Sequence, residues 1–385
     1  MSDSISAVSP KAISADSHVV EPARCYIDNI EAKYRDRAPR FERGPKGGDY
    51  LVIDGYRIPI PIAKTAAAGM DLVNLPFDTM SLEDTHRSAF DPKYRLEDQD
   101  RDGVSAEILY PTAGMLVCAV EDADYKQACN WAYNRWLQEY VSFAPKRLFG
   151  LGQTAVRSVA EAIEDFSRIK DMGFKGVMLP CEPSTEENYH HPSFDPLWRA
   201  AVELKLPISF HLATSKASTR IGAAMASAGK VTSTPAANAQ HDVLRANQDI
   251  IGTFIWGGVF ERHPELKLVC VEADASWAPH LMSRMDYYYK DRKDKKYDLG
   301  LNKPPSAYMK HNVYFTLQND WLALRMLEFL NPARLLWAND FPHSDGCWPN
   351  SQRILAEHAS HLTPPQRAAL IHDNVAELYG LHNLH

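Results

Sequence analysis

The sequence predicts an α/β fold, a (β/α)8 TIM-type barrel carrying a long insertion after its first strand. Three observations predict it. Eight short, mostly apolar runs alternate with stretches of helical periodicity, the pattern of a parallel sheet covered by crossover helices. No G-x-G-x-x-G follows the first run, which removes the main support for a nucleotide-binding doubly wound sheet. The length of 385 residues suits a barrel that folds as one unit with additions.

The eight candidate strands are Ala12–His18, Ala106–Pro111, Leu148–Ala155, Gly176–Pro180, Pro207–Leu212, Leu266–Ala273, Asn312–Leu317 and Arg334–Asn339. Helix signals fall between them. Ser158 and Glu161 read as a capping box, with Gly173 placed to end that helix. Asp195-Pro196 reads as an N-cap and N1 pair, and Thr363, Pro364 and Gln366 open a last helix through Leu378. Ala128, Trp131, Ala132, Leu137, Tyr140, Val141 and Ala144 recur at helical spacing, a stripe that serves core packing. Two stretches exceed a minimal barrel. Residues 19–103 form an insertion in which Asp54-Gly55 marks a β-hairpin, and its place over the barrel mouth makes it a lid or a dimer contact. The second, Ala213 to Asn247, reads as loop at first and helix from about Pro235. The chain 1–385 is expected to be one domain, and it shows no internal repeat.

Composition limits the function. With 45% hydrophobic residues there is ample material for a core, and a net charge of −7 offers no basic footprint for nucleic acid. No apolar run approaches the roughly 20 residues of a membrane span, and Met1 to Ala15 reads as neither signal nor anchor. The six cysteines include no C-x-x-C pair and read as buried thiols of a reducing compartment. The expected protein is cytoplasmic, with a small-molecule substrate and neither nucleic acid nor membrane as partner.

Barrels of this type keep their active sites at the C-terminal ends of the strands. Strand one ends Asp16-Ser17-His18, strand five Ser209-Phe210-His211 and strand eight Ala338-Asn339-Asp340. Residues two apart in a strand share a face, so Asp16 and His18 are expected to aim together into the mouth. A lone strand histidine is more often a hydrogen-bonded core group than a ligand. Coincidence of position raises the odds, because all four side chains fall at one end of three strands. Two imidazoles and two carboxylates make a mixed N/O site for one divalent cation, Zn²⁺ first and Mn²⁺ second.

Asp16-Ser17-His18-Val19-Val20-Glu21-Pro22, Pro207 to His211 and Trp337-Ala338-Asn339-Asp340-Phe341-Pro342-His343 resemble signatures of the amidohydrolase superfamily. More narrowly they are similar to the amidohydrolase-2 group, which includes aminocarboxymuconate semialdehyde decarboxylase and γ-resorcylate decarboxylase. The resemblance implies a (β/α)8 barrel, one metal held by Asp16, His18, His211 and Asp340, and a homodimer or homotetramer. This chain departs from the group in two places. Many members have His-x-His on strand one where this chain has Asp-x-His, although γ-resorcylate decarboxylase also has a carboxylate there. Decarboxylating members place a histidine at the end of strand six, where this chain has Glu272. Binuclear members use a lysine at the end of strand four, and here that strand ends Met178-Leu179-Pro180.

A bound cation would acidify water and polarise a carbonyl. Asp340 is expected to carry the proton, with Glu272 sharing that duty, orienting a ligand, or simply pairing with an arginine such as Arg284. His280 and His343 are weaker candidates for the pocket wall. On the strength of Glu272 the sequence favours a metal-dependent hydrolase that activates water against the carbonyl of an amide, lactone, ester or C–C bond. The substrate would be a small aromatic or cyclic acid. The alternative is a metal-dependent non-oxidative decarboxylase of an aromatic or enoic acid, and a non-catalytic metal-containing binding protein comes third.

Overall fold

The computed structural model describes residues 11–56, 59–71, 74–76, 78–216 and 234–381. Its strands are β1 (Ala12–Val19), β2 (Arg40–Arg43), β3 (Asp49–Val52), β4 (Ile60–Pro61), β5 (Val104–Pro111), β6 (Leu148–Gly150) and β7 (Gly152–Gln153). They continue with β8 (Val177–Met178), β9 (Ile208–His211), β10 (Leu268–Val271), β11 (Val313–Leu317) and β12 (Leu335–Trp337). Parallel ladders run β1-β5-β6 and β7-β8-β9-β10-β11-β12. β6 and β7 are halves of one barrel strand parted at Leu151, whose N–H still donates to Leu109 O at 3.2 Å. Backbone bonds close the ring: Asp340 N–H donates to Asp16 O at 3.0 Å, and His18 N–H to Phe341 O at 2.7 Å. All eight predicted strands are present, in sequence order, in a (β/α)8 barrel.

Alternation divides the core into two layers. Ile13, Ile108, Leu151, Val269 and Leu336 fill the barrel, while Val104, Ile208, Leu268, Cys270, Phe315 and Trp337 face the helices. β1 breaks this rhythm. Ser14 pairs with Glu107 and Ser17 with Leu109, three residues against two, so a β-bulge separates them. Ser14 and Ser17 therefore share the outer face, where both hydroxyls donate to Asn339 Oδ1 at 3.0 and 2.9 Å. The same extra residue lets Ile13 and His18 both point inward, which unbroken alternation would forbid.

The hairpin expected in the insertion forms between β3 and β4. Gly55 takes a positive φ of 80°, and Tyr56 N–H donates to Ile53 O at 3.0 Å. The insertion seats on the loop that follows β12. Ala68 N–H donates to Pro342 O at 3.1 Å, Ser344 Oγ to Lys64 O at 3.3 Å, and Ala68, Phe341 and Trp348 form a small apolar cluster.

Cap signals were legible in part. The Thr363/Gln366 capping box is complete. Ser158 accepts from Glu161 N–H at 3.2 Å, but the Glu161 carboxylate turns to Arg157. Asp195 is not an N-cap: the helix begins at Asp195 itself, with Phe194 as cap. Its carboxylate instead accepts from Arg262 Nε at 2.9 Å and lies 3.0 Å from His263 Nε2, a long-range ion pair that outcompetes the local cap. The helix expected from about Pro235 runs Thr234–Trp256, and the loop before it lies largely outside the described residues. All six cysteines are buried and unbridged. No helix among the described residues is long and apolar enough to cross a membrane.

The helix Pro92–Asp102 supplies the brace beneath the barrel mouth. Arg95 is fully buried; its Nε donates to Glu107 Oε2 at 2.6 Å, Nη1 to His18 O at 2.7 Å and Nη2 to Phe341 O at 3.2 Å. One guanidinium thus ties together β1, β5 and the loop after β12. Removing one partner of a buried pair strands the other charge. Arg95→Met is expected to cost about 3–5 kcal/mol in denaturant unfolding, and Arg95→Met with Glu107→Leu to recover a large part of it.

Candidate metal centre

β1 and β9 bring Asp16, His18 and His211 into one group, and Asp340, after β12, joins it through His18, all four with no solvent exposure. Each reaches it differently. The bulge turns Asp16 and His18 inward, and regular alternation in β9 places His211 inside with Ser209. Asp340 continues the inward series from Leu336, although its φ of 54° lies in the left-handed region. Its N–H bond to Asp16 O and the His343 N–H bond to Asp340 O at 2.9 Å hold that conformation.

His18 Nε2 lies 3.3 Å from Asp16 Oδ1 and 3.3 Å from Asp340 Oδ1. His211 Nε2 lies 3.4 Å from Asp16 Oδ1 and 3.1 Å from His18 Nε2. Donors bonded at about 2.1 Å to one ion stand about 3.0 Å apart in an octahedron and about 3.4 Å apart in a tetrahedron. The spacing of Asp16, His18 and His211 therefore fits a shared divalent cation. So does the polar accounting: both oxygens of Asp16 and both of Asp340 are buried without a hydrogen-bond partner among the described residues. His18 Nδ1 lies 3.0 Å from Pro111 O, an acceptor that fixes the proton on Nδ1 and leaves the Nε2 lone pair for the centre.

Without a cation, a proton has to balance the carboxylates. Burial opposes charge on His18, but contact with Asp16 and Asp340 prevails and pushes its pKa up to about 10. Burial raises Asp340, and His343 and His18 overcome this and hold it well below the usual carboxylate range. Asp16 is likewise lowered by the two imidazoles against its burial.

Glu272 follows β10 at a φ of 56°, which ends the alternation. Its Oε2 lies 3.4 Å from His211 Nδ1, and its N–H donates to Thr316 Oγ1 at 2.8 Å. Burial, with Asp340, Asp345 and Asp16 nearby, raises its pKa well above the carboxylate range. Its carboxylate faces His211 Nδ1, which has no hydrogen-bond partner among the described residues, and Arg284 instead stacks over Tyr287. His343 Nδ1 stands 3.1 Å from Asp340 Oδ1, and its ring stacks on His18 with centroids 3.9 Å apart. Ligand atoms of His18, Glu272, Asp340 and His343 all lie within 4.8 Å of one another. His280 does not join them: it is exposed in the first turn of the helix Ala278–Asp294. Starting that helix at Ala278-Pro279 turns the third residue outward.

Thr112 and Glu21 were missed as parts of the site. Thr112 Oγ1 lies 3.1 Å from His343 Nε2, and the Glu21 carboxylate accepts the N–H groups of Thr112, Ala113 and Gly114 at 2.9–3.0 Å. Applying the strand-end rule to strand two, which ends at Pro111, would have found Thr112.

Comparison with known proteins agrees with this fold. The family model described as amidohydrolase matches residues 81–381, and the chain belongs to that family of enzymes. A 2-amino-3-carboxymuconate-6-semialdehyde decarboxylase of Dictyostelium discoideum is 23% identical over 300 residues, 76% of this chain and 78% of the relative. An amidohydrolase structure from Mycobacterium avium subsp. paratuberculosis superposes with a TM-score of 0.78 at 21% identity, covering 97% of this chain and 100% of that one. A 5-carboxyvanillate decarboxylase from Novosphingobium aromaticivorans, complexed with manganese and 4-hydroxy-3-methoxy-5-nitrobenzoic acid, gives a TM-score of 0.66 at 18% identity. That alignment covers 96% of each chain.

Two outcomes are expected. His211→Ala removes the bound metal by elemental analysis, whereas Glu272→Gln keeps the site and weakens metal affinity about 10–100-fold. In the metal-free protein, the raised His18 pKa stabilises the fold fully below about pH 6.5, the unfolded value. That contribution is lost as pH rises through about 10. Thermal melts should therefore fall over that window without metal, and hold when a divalent ion replaces the proton.

Proposed function

We propose that this protein is a divalent-metal-dependent, non-oxidative decarboxylase of an aromatic or enoic carboxylic acid. The observation that carries the reading is the buried group Asp16, His18 and His211, with Asp340 3.3 Å from His18 and the oxygens of both aspartates without a hydrogen-bond partner among the described residues. Two of the relatives described above, the amoebal protein and the manganese complex, are decarboxylases of acids. Hydrolysis had drawn its support from Glu272 as a free proton carrier. The histidine of decarboxylating members is still replaced by Glu272, whose Oε2 lies 3.4 Å from His211 Nδ1, and we read it as orienting that ligand.

Asp16, His18, His211 and Asp340 would hold the ion. Two nitrogens and two oxygens suit Zn²⁺ and Mn²⁺ alike, and the manganese of the bacterial relative puts Mn²⁺ level with Zn²⁺. The ion supplies Lewis acidity toward an oxygen substituent of the substrate. A proton brought to Asp340 from His343, whose Nδ1 lies 3.1 Å away, would pass to the carbon bearing the carboxylate. As that C–H bond forms, the bond to the carboxylate breaks and its electron pair stays on the carbon. CO₂ leaves, with no change of oxidation state required of the protein. His18, stacked on His343, and Thr112 fix the imidazole that serves this pair. We read the insertion as part of one barrel domain and as a lid, a reading supported by its packing against Pro342, Phe341 and Trp348 of the loop after β12.

The test is CO₂ release, with solvent deuterium appearing at the vacated carbon, from metal-loaded enzyme given a panel of hydroxybenzoic and enoic acids. Asp340→Asn is expected to cut the rate at least about 10³-fold with the fold retained by circular dichroism. ¹⁸O from solvent water entering the product without CO₂ would overturn the reading in favour of hydrolysis.

A further inference from the structure

We infer that Lys126, with Ser184 and Ser215, forms an anion-recognising subsite at the rim of the barrel for a second acidic group of the substrate. The inference rests on the decarboxylase reading only for the class of molecule that carries this group. Lys126 lies in the first turn of the helix Ala123–Ser142, where the helix dipole disfavours a cation. Yet it is 3% exposed, and its Nζ donates to Ser184 Oγ at 3.2 Å as its one hydrogen bond among the described residues. No carboxylate among them lies within ion-pair distance. A buried ammonium so poorly supplied is costly unless something else completes it.

Its surroundings point to what that is. Ser184 and Glu182 belong to the loop after β8, Lys216, preceded by Ser215 in the chain, to the loop after β9, and Cys118 to the segment after β5. These are C-terminal strand ends, the face on which the metal centre sits. The two loops are joined: Cys181 N–H donates to Thr214 O at 3.1 Å and Lys216 N–H to Glu182 Oε2 at 3.2 Å. Between those bonds stands Ser215, 1% exposed, its hydroxyl without a partner among the described residues. Burial pushes the Cys118 thiol up to about 12, so it is neutral.

One helical segment leads from the chemistry toward the subsite. Thr112 touches His343, and Cys118 ends the helical segment that starts there. Six residues at about 1.5 Å rise span about 9 Å, the scale of one substituted ring. A substrate acid held at the metal centre would extend a second carboxylate or comparable oxyanion along this segment toward Lys126 Nζ and the two hydroxyls.

Calorimetric titration of metal-loaded enzyme with 2-hydroxybenzoate, 4-hydroxyisophthalate and 2-hydroxyterephthalate tests this, because the last two add one carboxylate to the first. At least one diacid is expected to bind ten-fold or more tightly than the monoacid. Lys126→Met should bring that ratio to within about two-fold, and Ser215→Ala should reduce it several-fold without touching a charge. Lack of any diacid preference in the unaltered enzyme would overturn the subsite, as would a ratio unchanged in both variants. Diacid preference without CO₂ release would keep the subsite and count only against the decarboxylase reading.

Discussion

The site turns on a charge balance in a dry place. Asp16 and Asp340 set four carboxylate oxygens, none hydrogen-bonded among the described residues, against two imidazole nitrogens 3.1 Å apart. Buried anions of this kind persist only when a positive charge sits among them. A proton on His18 can fill that role, as its raised pKa shows, and a divalent ion of matching radius fills it better. The barrel around the cluster reads as the means of holding that imbalance in place.

Three devices do the holding. The bulge in β1 turns Asp16 and His18 into the mouth, the left-handed residues Glu272 and Asp340 end their strands abruptly, and the Arg95–Glu107 pair fastens the carbonyls of His18 and Phe341 from behind. Each departs from the cheapest local choice: a register shift, a strained φ, a buried ion pair. Such departures gather at functional sites because a precise constellation needs positions that regular strands do not offer.

The strands and their order were legible because parallel barrel strands, buried on both faces, write long apolar runs into the chain. The four clustered groups were legible for a related reason: a charged or imidazole residue closing such a run has few other uses. Local reading failed where a distant partner decided the outcome. Asp195 looked like a cap until Arg262 and His263, nearly seventy positions on, claimed its carboxylate. His280 followed a strand closely enough to suggest the pocket, but the start of its helix turned it to solvent.

By itself, then, the sequence determined the fold, the end of the barrel that matters and the kinds of side chain gathered there, since all three follow from apolar periodicity and from where it stops. Only the tertiary structure decided how those side chains face. Alternation alone cannot put Ile13 and His18 on one side of β1, nor aim Glu272 at His211; the bulge and the left-handed φ do so. The same holds for Lys126, an ordinary helix lysine in one dimension. Only the fold buries it to 3% exposure and sets its Nζ 3.2 Å from Ser184 Oγ, in the loop after β8.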